Sequence, residues 1–311
     1  MKHQFISIVT PCFNEEGNVE ELHRQICEVM QTLPEYDYEH LYIDNASTDR
    51  TQELLRKIAA EDKRVKVIIN TRNFGHLRSP YHAFLQASGE AIISMVSDLQ
   101  DPPELIHEYL KKWKEGYKIV LGERVGSDEK SLMFKLRKLY YAFVSKLSDV
   151  DLLQNVTGAG LYDREVVEKL RSLNDPYPYV RGLISELGYS VARIPFHQPI
   201  RKSGITKNNW YTLYDMAMLG FTSHSKVPLR LATMLGFATA FLSLMIAIGY
   251  LICKLVFWQS FPFGTAPLII SIFFFASVQL FFIGIIGEYI GAIHTQVMKR
   301  PLVVERERIN F

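Results

Sequence analysis

The sequence predicts an α/β domain followed by a membrane anchor. In roughly the first 225 residues, short apolar runs alternate with segments of helical spacing, a pattern typical of a mostly parallel sheet with helices on both faces. Two later stretches, 231–253 and 259–287, contain no charged residue, and about 20 apolar residues are enough to span a bilayer as a helix. We therefore expect a hairpin of two transmembrane helices; core helices of a soluble protein are the alternative.

The elements of the α/β part can be placed in order along the chain. Short apolar runs bounded by polar residues predict strands at 5–10, 41–44, 65–69, 91–96 and 117–121. Apolar residues at helical spacing predict helices at 19–33, 47–60 and 80–87. The second helix has Ser47 and Asp49 as capping residues at its start.

Polar clusters follow four of these strands, at 11–16, 44–49, 72–78 and 98–101. Because ligands of open parallel sheets bind beyond the carboxyl ends of the strands, the four clusters are expected to line one cleft. The chain has neither a Gly-x-Gly-x-x-Gly motif nor a Walker A lysine loop, so a diphosphate in this cleft would need another counter-charge. A divalent cation held by carboxylate and amide oxygens would supply it.

The fourth cluster contains the candidate metal ligands. Asp98 and Gln100 alternate along the chain, so on an extended backbone both side chains would point the same way. We predict that Asp98 and Gln100 bind Mg²⁺ or Mn²⁺. Asp101-Pro-Pro-Glu is also a good helix start, and we assign Asp101 to the N-cap of that helix.

Composition excludes some classes of protein. The 311 residues carry a net charge of +2, too neutral to indicate a nucleic-acid partner. The cysteines at 12, 27 and 253 form no metal or redox spacing. The first apolar run is too short for a signal peptide, so we expect the α/β part in the cytosol.

The distribution of basic residues predicts the orientation of the hairpin. Lys226 and Arg230 precede the first uncharged stretch, and Lys254 is the basic residue of the connecting loop. The second stretch is followed by Lys299, Arg300, Arg306 and Arg308. By the positive-inside rule, both ends of the chain face the cytoplasm.

Six short motifs occur in one order along the chain. They are Val-Thr-Pro-Cys-Phe-Asn-Glu-Glu (9–16), Ile-Asp-Asn-Ala-Ser-Thr-Asp (43–49), Thr-Arg-Asn-Phe-Gly (71–75), Ser-Asp-Leu-Gln-Asp-Pro-Pro-Glu (97–104), Gly-Glu-Arg (122–124) and Val-Pro-Leu-Arg-Leu (227–231). Together, and before two membrane spans, they resemble the membrane-anchored polyprenyl-phosphate glycosyltransferases. These are family-two enzymes with a GT-A fold, related to dolichol-phosphate mannose and bactoprenol-phosphate glucose synthases.

The resemblance implies roles for individual residues. It implies that Asp98 and Gln100 bind the metal, and that Arg124 points toward the acceptor phosphate. Asp98 and Arg124 are thus the catalytic candidates. The nucleotide would be lined by Pro11, Phe13, Glu15, Asp44, Asn45 and Arg72. Simpler readings exist: Phe13 as a core residue, Glu15 as part of a helix cap, and the two arginines as solvated side chains.

The segment before the first span is predicted to lie at the membrane surface. One helical face would hold Trp210, Leu213, Tyr214, Ala217 and Phe221, as in an interfacial helix; packing on the soluble domain is the alternative. Arg201 and Lys207 are candidates for binding a lipid phosphate. The predicted boundaries are 1–207 for the catalytic domain, 208–228 for the juxtamembrane helix, 229–292 for the spans and 293–311 for a cytosolic tail.

The resemblance implies an inverting, metal-dependent transfer of one sugar from a nucleotide-diphosphate sugar to a polyprenyl phosphate at the cytoplasmic face of the membrane. Glucose or N-acetylglucosamine from a uridine nucleotide is the first expectation, and mannose from GDP-mannose the second. The assembly could be a homo-oligomer. The alternatives are a processive polysaccharide synthase, whose Gln-x-x-Arg-Trp motif is missing here, and a membrane scaffold with a decayed transferase domain.

Two positions depart from the family pattern. Val96 stands where the family commonly has an aspartate, and Gly158 stands where many bacterial relatives have another. The second departure suggests a mechanism without a general base. A phosphate monoester has a second pKa of about 6 and is largely ionised at pH 7, whereas an alcohol acceptor would need a base to remove its proton.

Overall fold

A computed structural model describes residues 4–125, 156–197, 227–256 and 265–311 of the chain. Within these ranges, the strands of one eight-stranded sheet are β1 Gln4–Cys12, β2 Tyr36–Asp44, β3 Val65–Asn70, β4 Ala91–Ser94, β5 Ile119–Arg124, β6 Val156–Asp163, β7 Val191–Phe196 and β8 Glu305–Ile309. The helices described are α1 Val19–Gln31, α2 Thr51–Glu61, α3 Gly75–Gln86, α4 Leu105–Lys114, α5 Arg164–Leu173, α6 Val180–Leu187, α7 Val227–Val256 and α8 Thr265–Met298.

The sheet is mostly parallel. Its strand order is β7-β5-β6-β4-β1-β2-β3-β8. β1 pairs in parallel with β2 and β4, β2 with β3, and β5 with β7, whereas β6 and β8 pair antiparallel to their neighbours. The carboxyl ends of β1 to β4 therefore share one edge of the sheet, as the sequence predicted.

The core lies on both faces of the sheet, because successive side chains of a strand point to opposite faces. Ile8 of β1 belongs to a buried cluster that includes residues of α1, α2 and α4, while the next residue, Val9, belongs to a second cluster with residues of α3, α5 and α6. Tyr42 and Ile43 of β2 divide in the same way. The predicted α/β architecture is confirmed.

Some boundaries differ from the predicted ones. The strand expected at 91–96 ends at Ser94, and the helix expected at 80–87 begins at Gly75 and includes Pro80. The strand expected at 117–121 runs from Ile119 to Arg124. No pattern in the sequence predicted β6, β7 or β8.

Two long helices occupy the region of the predicted spans. α7 has 30 residues and α8 has 34. In the part of the chain that the structure describes, one segment, Phe274–Met298, is long and apolar enough to cross a membrane. The second crossing stays a prediction. Residues 208–226 of the interfacial helix predicted at 208–228 lie outside the described residues, as do Arg201 and Lys207, and its last two residues belong to the start of α7.

The end of the chain is part of the sheet and not a free tail. β8 pairs antiparallel with β3, placing Ile309 opposite Val67. Side chains reinforce this pairing: Glu305 Oε1 lies 2.5 Å from His82 Nε2, and Arg308 donates to Gln86 Oε1 over 2.9 Å. The C-terminal residues are thus anchored to the same sheet that presents the polar clusters.

Candidate active site

The loops that follow β1 and β2 are cross-linked. Asn14, which has a φ of 57°, receives a hydrogen bond from the backbone N–H of Thr48 at 2.8 Å, and its own N–H donates to Ser47 Oγ at 2.9 Å. The N–H of Glu15 donates to Thr51 Oγ1 at 2.8 Å. These bonds join the two loops into one unit, so the predicted nucleotide residues on them keep a fixed relative position.

Asp44 lies at the end of β2 and is buried. Its Oδ2 accepts hydrogen bonds from the N–H of Ser47 (3.0 Å) and from Gln52 Nε2 (2.8 Å). Its Oδ1 is buried without a hydrogen-bond partner among the described residues. Burial raises the pKa of Asp44, against the lowering effect of Ser47 and Gln52. A buried acceptor without a partner is rare in folded proteins and points to a ligand donor.

Asn45 uses its whole side chain to hold the loop after β3. Its Oδ1 accepts from the N–H of Phe74 at 2.9 Å and from Asn70 Nδ2 at 3.2 Å. Its Nδ2 donates to Asn73 Oδ1 at 2.9 Å and to the carbonyl of Gly75 at 3.1 Å. Because a carboxamide has two donors and two acceptor sites, the Asn45 side chain uses its full hydrogen-bonding capacity within the protein and positions this loop.

The other predicted nucleotide residues lie around the same strand ends. Pro11 is half-buried in β1, opposite Ile43, and Phe13 is half-buried in the following loop. Glu15 Oε2 accepts a hydrogen bond from Asn18 Nδ2 at 2.6 Å. Arg72 is exposed, with its guanidinium carbon 4.0 Å from the centre of the Phe74 ring.

The candidate metal ligands lie in a turn and not on an extended strand. β4 ends at Ser94, and Leu99 has a φ of 57°. The backbone N–H of Gln100 donates to Asp98 Oδ1 at 3.1 Å. The prediction that Asp98 and Gln100 point the same way on an extended backbone is therefore wrong. A left-handed leucine costs about 1–2 kcal/mol, and such strain concentrates at functional sites.

Asp101 is not the predicted helix cap. α4 begins at Leu105, and the side chain at its N-cap position, Glu104, makes no capping bond. Asp101 is 1% exposed, and neither carboxylate oxygen has a hydrogen-bond partner among the described residues. Burial raises its pKa to about 6, although the positive charge of Arg124 opposes this shift.

Arg124 lies on β5, which is separated from β4 by one strand, β6. It is the last residue of β5 and is exposed. Its positive charge lowers the pKa of Asp101, against the effect of burial. The predicted acceptor arginine thus interacts electrostatically with the predicted metal loop, an interaction that the separation of the two motifs in sequence did not establish.

The loop at 98–101 offers the donors that a hard divalent cation prefers. Asp98 and Gln100 are half-buried, and Asp101 adds a carboxylate without a hydrogen-bond partner among the described residues. Mg²⁺ is bound through oxygen ligands, often one or two carboxylates with the substrate phosphates. These residues fit Mg²⁺ or Mn²⁺, and Asp101 offers the second carboxylate that Val96 does not.

A different group of metal-ligating side chains lies elsewhere in the described residues. One ligand atom each of His23, Cys27 and Asp62 falls within 4.8 Å of the others. Both oxygens of Asp62, however, accept hydrogen bonds from Arg64, Oδ1 at 3.0 Å from Nε and Oδ2 at 2.7 Å from Nη2. We therefore interpret Asp62 as the ion-pair partner of Arg64, with His23 of α1 beside it at 3.9 Å.

Comparison with known proteins identifies the family. Residues 7–171 match the model of Glycosyl transferase family 2. The uncharacterized glycosyltransferase YkcC of Bacillus subtilis (strain 168) is 36% identical over 307 residues, which cover 97% of this chain and 94% of that protein. The chain belongs to glycosyltransferase family 2. The Asp98 loop of this family 2 glycosyltransferase lies inside the matched range.

Further relatives of the family 2 glycosyltransferase include the bactoprenol glucosyl transferase of Shigella phage SfII. It is 34% identical over 297 residues, covering 95% of this chain and 96% of that protein. Among solved structures, glucosyl-3-phosphoglycerate synthase of Mycobacterium tuberculosis, in complex with Mn²⁺, UDP and phosphoglyceric acid, aligns with a TM-score of 0.49 and 22% identity over 70% of this chain and 76% of that chain. The family match and the mostly parallel sheet with helices on both faces together identify the fold as GT-A-like.

Proposed function

We propose that this glycosyltransferase moves one sugar from a nucleoside-diphosphate sugar to a polyprenyl phosphate at the cytoplasmic face of the membrane, with inversion and with a divalent cation. The named relatives that act on bactoprenol are similar along nearly the whole chain, including the apolar helices. Because these relatives are glucosyl transferases, we propose glucose as the transferred sugar and a uridine nucleotide as its carrier. The observation that most supports an acceptor in the membrane is that the chain returns to the catalytic sheet after α8.

That return constrains how the chain crosses the membrane. β8 pairs with β3, so the chain before residue 197 and the chain after residue 305 are on the same side. The segment between them must therefore cross the membrane an even number of times. If Phe274–Met298 crosses once, the 30-residue α7 is the helix that can supply the second crossing. The basic residues near both ends favour the cytoplasmic side.

Labelling from outside the cell tests this topology. We expect a membrane-impermeant maleimide to label Ser260→Cys, in the loop between the helices, and to leave Phe311→Cys unlabelled until the membrane is opened. Phe311 is 52% exposed, so its protection in intact cells would come from the membrane. The unsubstituted protein is the background control, and labelling of Phe311→Cys in intact cells would reverse the orientation.

The residues of the site have separate tasks in the proposed reaction. Asp98, Gln100 and Asp101 would hold the cation, which when bound supplies positive charge to the departing diphosphate. Asp44 offers an acceptor to the base, and Asn45 fixes the loop beside it. Arg124 would orient the acceptor phosphate, so that alignment of the two substrates contributes to the rate.

The proposed reaction needs no carboxylate as a general base. The carboxylates that are candidates for such a base are Asp128, Glu129 and Asp163. Asp163 pairs with Ala91 at the start of β4, away from the loop that follows this strand. Its Oδ2 accepts from Trp113 Nε1 at 2.8 Å and lies 3.2 Å from Lys118 Nζ. The other candidates, Asp128 and Glu129, lie outside the described residues.

We expect Asp163→Asn to leave turnover within about threefold of the unsubstituted enzyme and to lower the free energy of unfolding by about 1–3 kcal/mol, the usual cost of disrupting a charged hydrogen bond. Initial rates and thermal melts measure the two effects. If turnover instead falls ~1000-fold, on the scale of a lost base, while nucleotide binding and folding persist, the mechanism without a base is wrong.

Transfer itself is tested with membranes that contain the full chain. They are incubated with labelled UDP-glucose, UDP-N-acetylglucosamine or GDP-mannose, and the products are extracted into organic solvent. The proposal expects a labelled lipid with one sugar from one of the uridine nucleotides. A product that stays in the insoluble polymer fraction would indicate a processive synthase, and no metal-dependent nucleotide binding at all would indicate a decayed scaffold.

A further inference from the structure

Four arginines gather around the loop after β3. They are Arg72, Arg78, Arg300 and Arg306, named here the arginine cluster. None of them lies within ion-pair distance of a carboxylate in the described part of the chain. Other arginines of the sheet domain do have such partners: Arg24 contacts Glu21, and Arg171 contacts Glu168.

The cluster is held in place by the protein. The guanidinium carbons of Arg72 and Arg78 lie 4.0 and 5.6 Å from the centre of the same ring, that of Phe74. Arg78 Nη2 donates to the carbonyl of Pro301, and Arg306 Nη2 donates to the carbonyl of Thr71 at 3.2 Å. Three of the four side chains, those of Arg72, Arg78 and Arg306, are therefore held before any ligand arrives, which lowers the entropic cost of binding one.

One donor of the cluster is unused. Arg78 Nε is buried and has no hydrogen-bond partner among the described residues. Burial and the positive charges of Arg72 and Arg300 lower the pKa of Arg78. Gathering like charges without a counter-ion is unfavourable, so the arrangement is stabilised by an anion. Guanidinium groups suit phosphate because they can donate two parallel hydrogen bonds to it.

The position of Arg300 indicates where this phosphate comes from. Arg300 follows two residues after Met298, the end of the candidate span. A residue just beyond the apolar end of a membrane helix lies at the depth of the lipid headgroups, where basic side chains attract anionic lipids. A soluble nucleotide has no need of a residue at this depth.

We propose that the arginine cluster binds the phosphate group of a membrane lipid. Its placement at the headgroups rests on the proposed function, in which α8 spans the membrane. Two lipids carry this chemistry: the polyprenyl phosphate acceptor, with a phosphate monoester, and the phospholipids of the bilayer. Arg72 borders the predicted nucleotide site, so the test relies on Arg78 and Arg300.

The test measures binding by the purified full chain in uncharged detergent. The probes are farnesyl monophosphate, dioleoylphosphatidylglycerol and UDP with Mg²⁺. The variants are Arg78→Gln, Arg300→Gln and, as a matched loss of charge, Arg24→Gln on α1. We expect the first two variants to weaken binding of a lipid phosphate about 10-fold or more, as for a lost charged hydrogen bond of about 1.5–3 kcal/mol. Arg24→Gln should change lipid binding less than about twofold, and all three variants should change UDP binding less than about twofold.

The outcomes separate the lipid sources. Weaker binding of farnesyl phosphate with unchanged phosphatidylglycerol binding makes the cluster an acceptor site, and weaker binding of both makes it a general headgroup site. Unchanged binding of both lipids, or an equal loss of UDP binding, overturns the proposal. Thermal melts of Arg78→Gln exclude unfolding, and Arg300→Gln, at an exposed position, gives a second reading if Arg78→Gln does not fold.

Sugar transfer by the unsubstituted enzyme is measured in parallel. If the enzyme glucosylates farnesyl phosphate while both variants bind it normally, the cluster proposal fails and the proposed function stands. If no transfer occurs but the variants lose lipid binding, the proposed function fails and the cluster stands.

Discussion

Replacing Asp98 by asparagine is expected to reduce sugar transfer by about 100- to 1000-fold, the scale of losing one preorganised electrostatic contact to developing charge. The side chain keeps its size and can still accept the hydrogen bond from the N–H of Gln100, so the turn should survive. What is lost is one negative charge facing the cation. Initial rates with saturating UDP-glucose measure the effect.

Binding of Mn²⁺, followed by electron paramagnetic resonance, separates a metal role from a purely structural one. Asp98→Asn should weaken Mn²⁺ binding, whereas Glu104→Gln, an exposed acid in the same segment, should leave both binding and turnover unchanged. Full turnover of the unsubstituted enzyme in excess chelator would contradict the metal role of this loop.

Replacing Asp44 by asparagine is expected to weaken UDP binding by about 10- to 100-fold. The substitution would set two hydrogen-bond donors, one of the protein and one of the base, against each other, and a buried donor left without an acceptor costs about 1–3 kcal/mol. The Oδ2 of Asp44 is needed by Ser47 and Gln52, so the amide oxygen should take that place. The NH₂ group then replaces Oδ1 and meets the N3–H of uracil, donor against donor.

The same substitution makes a sharper prediction about the base. Cytosine presents an acceptor at N3, so Asp44→Asn should lose affinity for UDP while gaining affinity for CDP relative to the unsubstituted enzyme. Calorimetric titration with both nucleotides measures this change. Asp37→Asn, at an exposed position near the start of the same strand, is the matched control. An unchanged ratio of UDP to CDP affinity would show that Asp44 does not read the base.

The part of the fold that repeats a local pattern could be predicted from the sequence. β1, β3 and β4 are mostly apolar runs, and β2 contains one at 41–43 after a polar first half that the prediction left out. The parallel pairing of these strands brings Asp44 and the Asp98 loop to one edge, as expected. β8 could not be predicted in this way. In its sequence, Glu-Arg-Glu-Arg-Ile, acidic and basic residues alternate, and the segment forms a strand because β3 offers it an edge to pair with.

The site residues divide similarly. Asp98 was found from its position after a strand, but the turn at Leu99 was not, since a left-handed leucine has no sequence signal. Asp101 was assigned to a cap because Asp before Pro-Pro is a common helix start. Its burial, with no hydrogen-bond partner among the described residues for either carboxylate oxygen, is set by the tertiary structure and could not be predicted. Arg78 was missed because its significance depends on Pro301 and Arg300, more than 200 residues away in sequence.

The pairing of β8 with β3 also sets an order for biosynthesis. The ribosome releases β1 to β7 long before residue 305, so the nascent domain carries an open edge at β3 while the apolar helices are being inserted. The backbone N–H of Thr71, next to Arg72, finds its acceptor on Val304 only afterwards. Chains whose helices fail to insert would keep this edge unpaired, a known route to aggregation, and would leave the loop beside the nucleotide without its support. In the proposed topology, completion of the sheet therefore depends on insertion of the helices into the membrane.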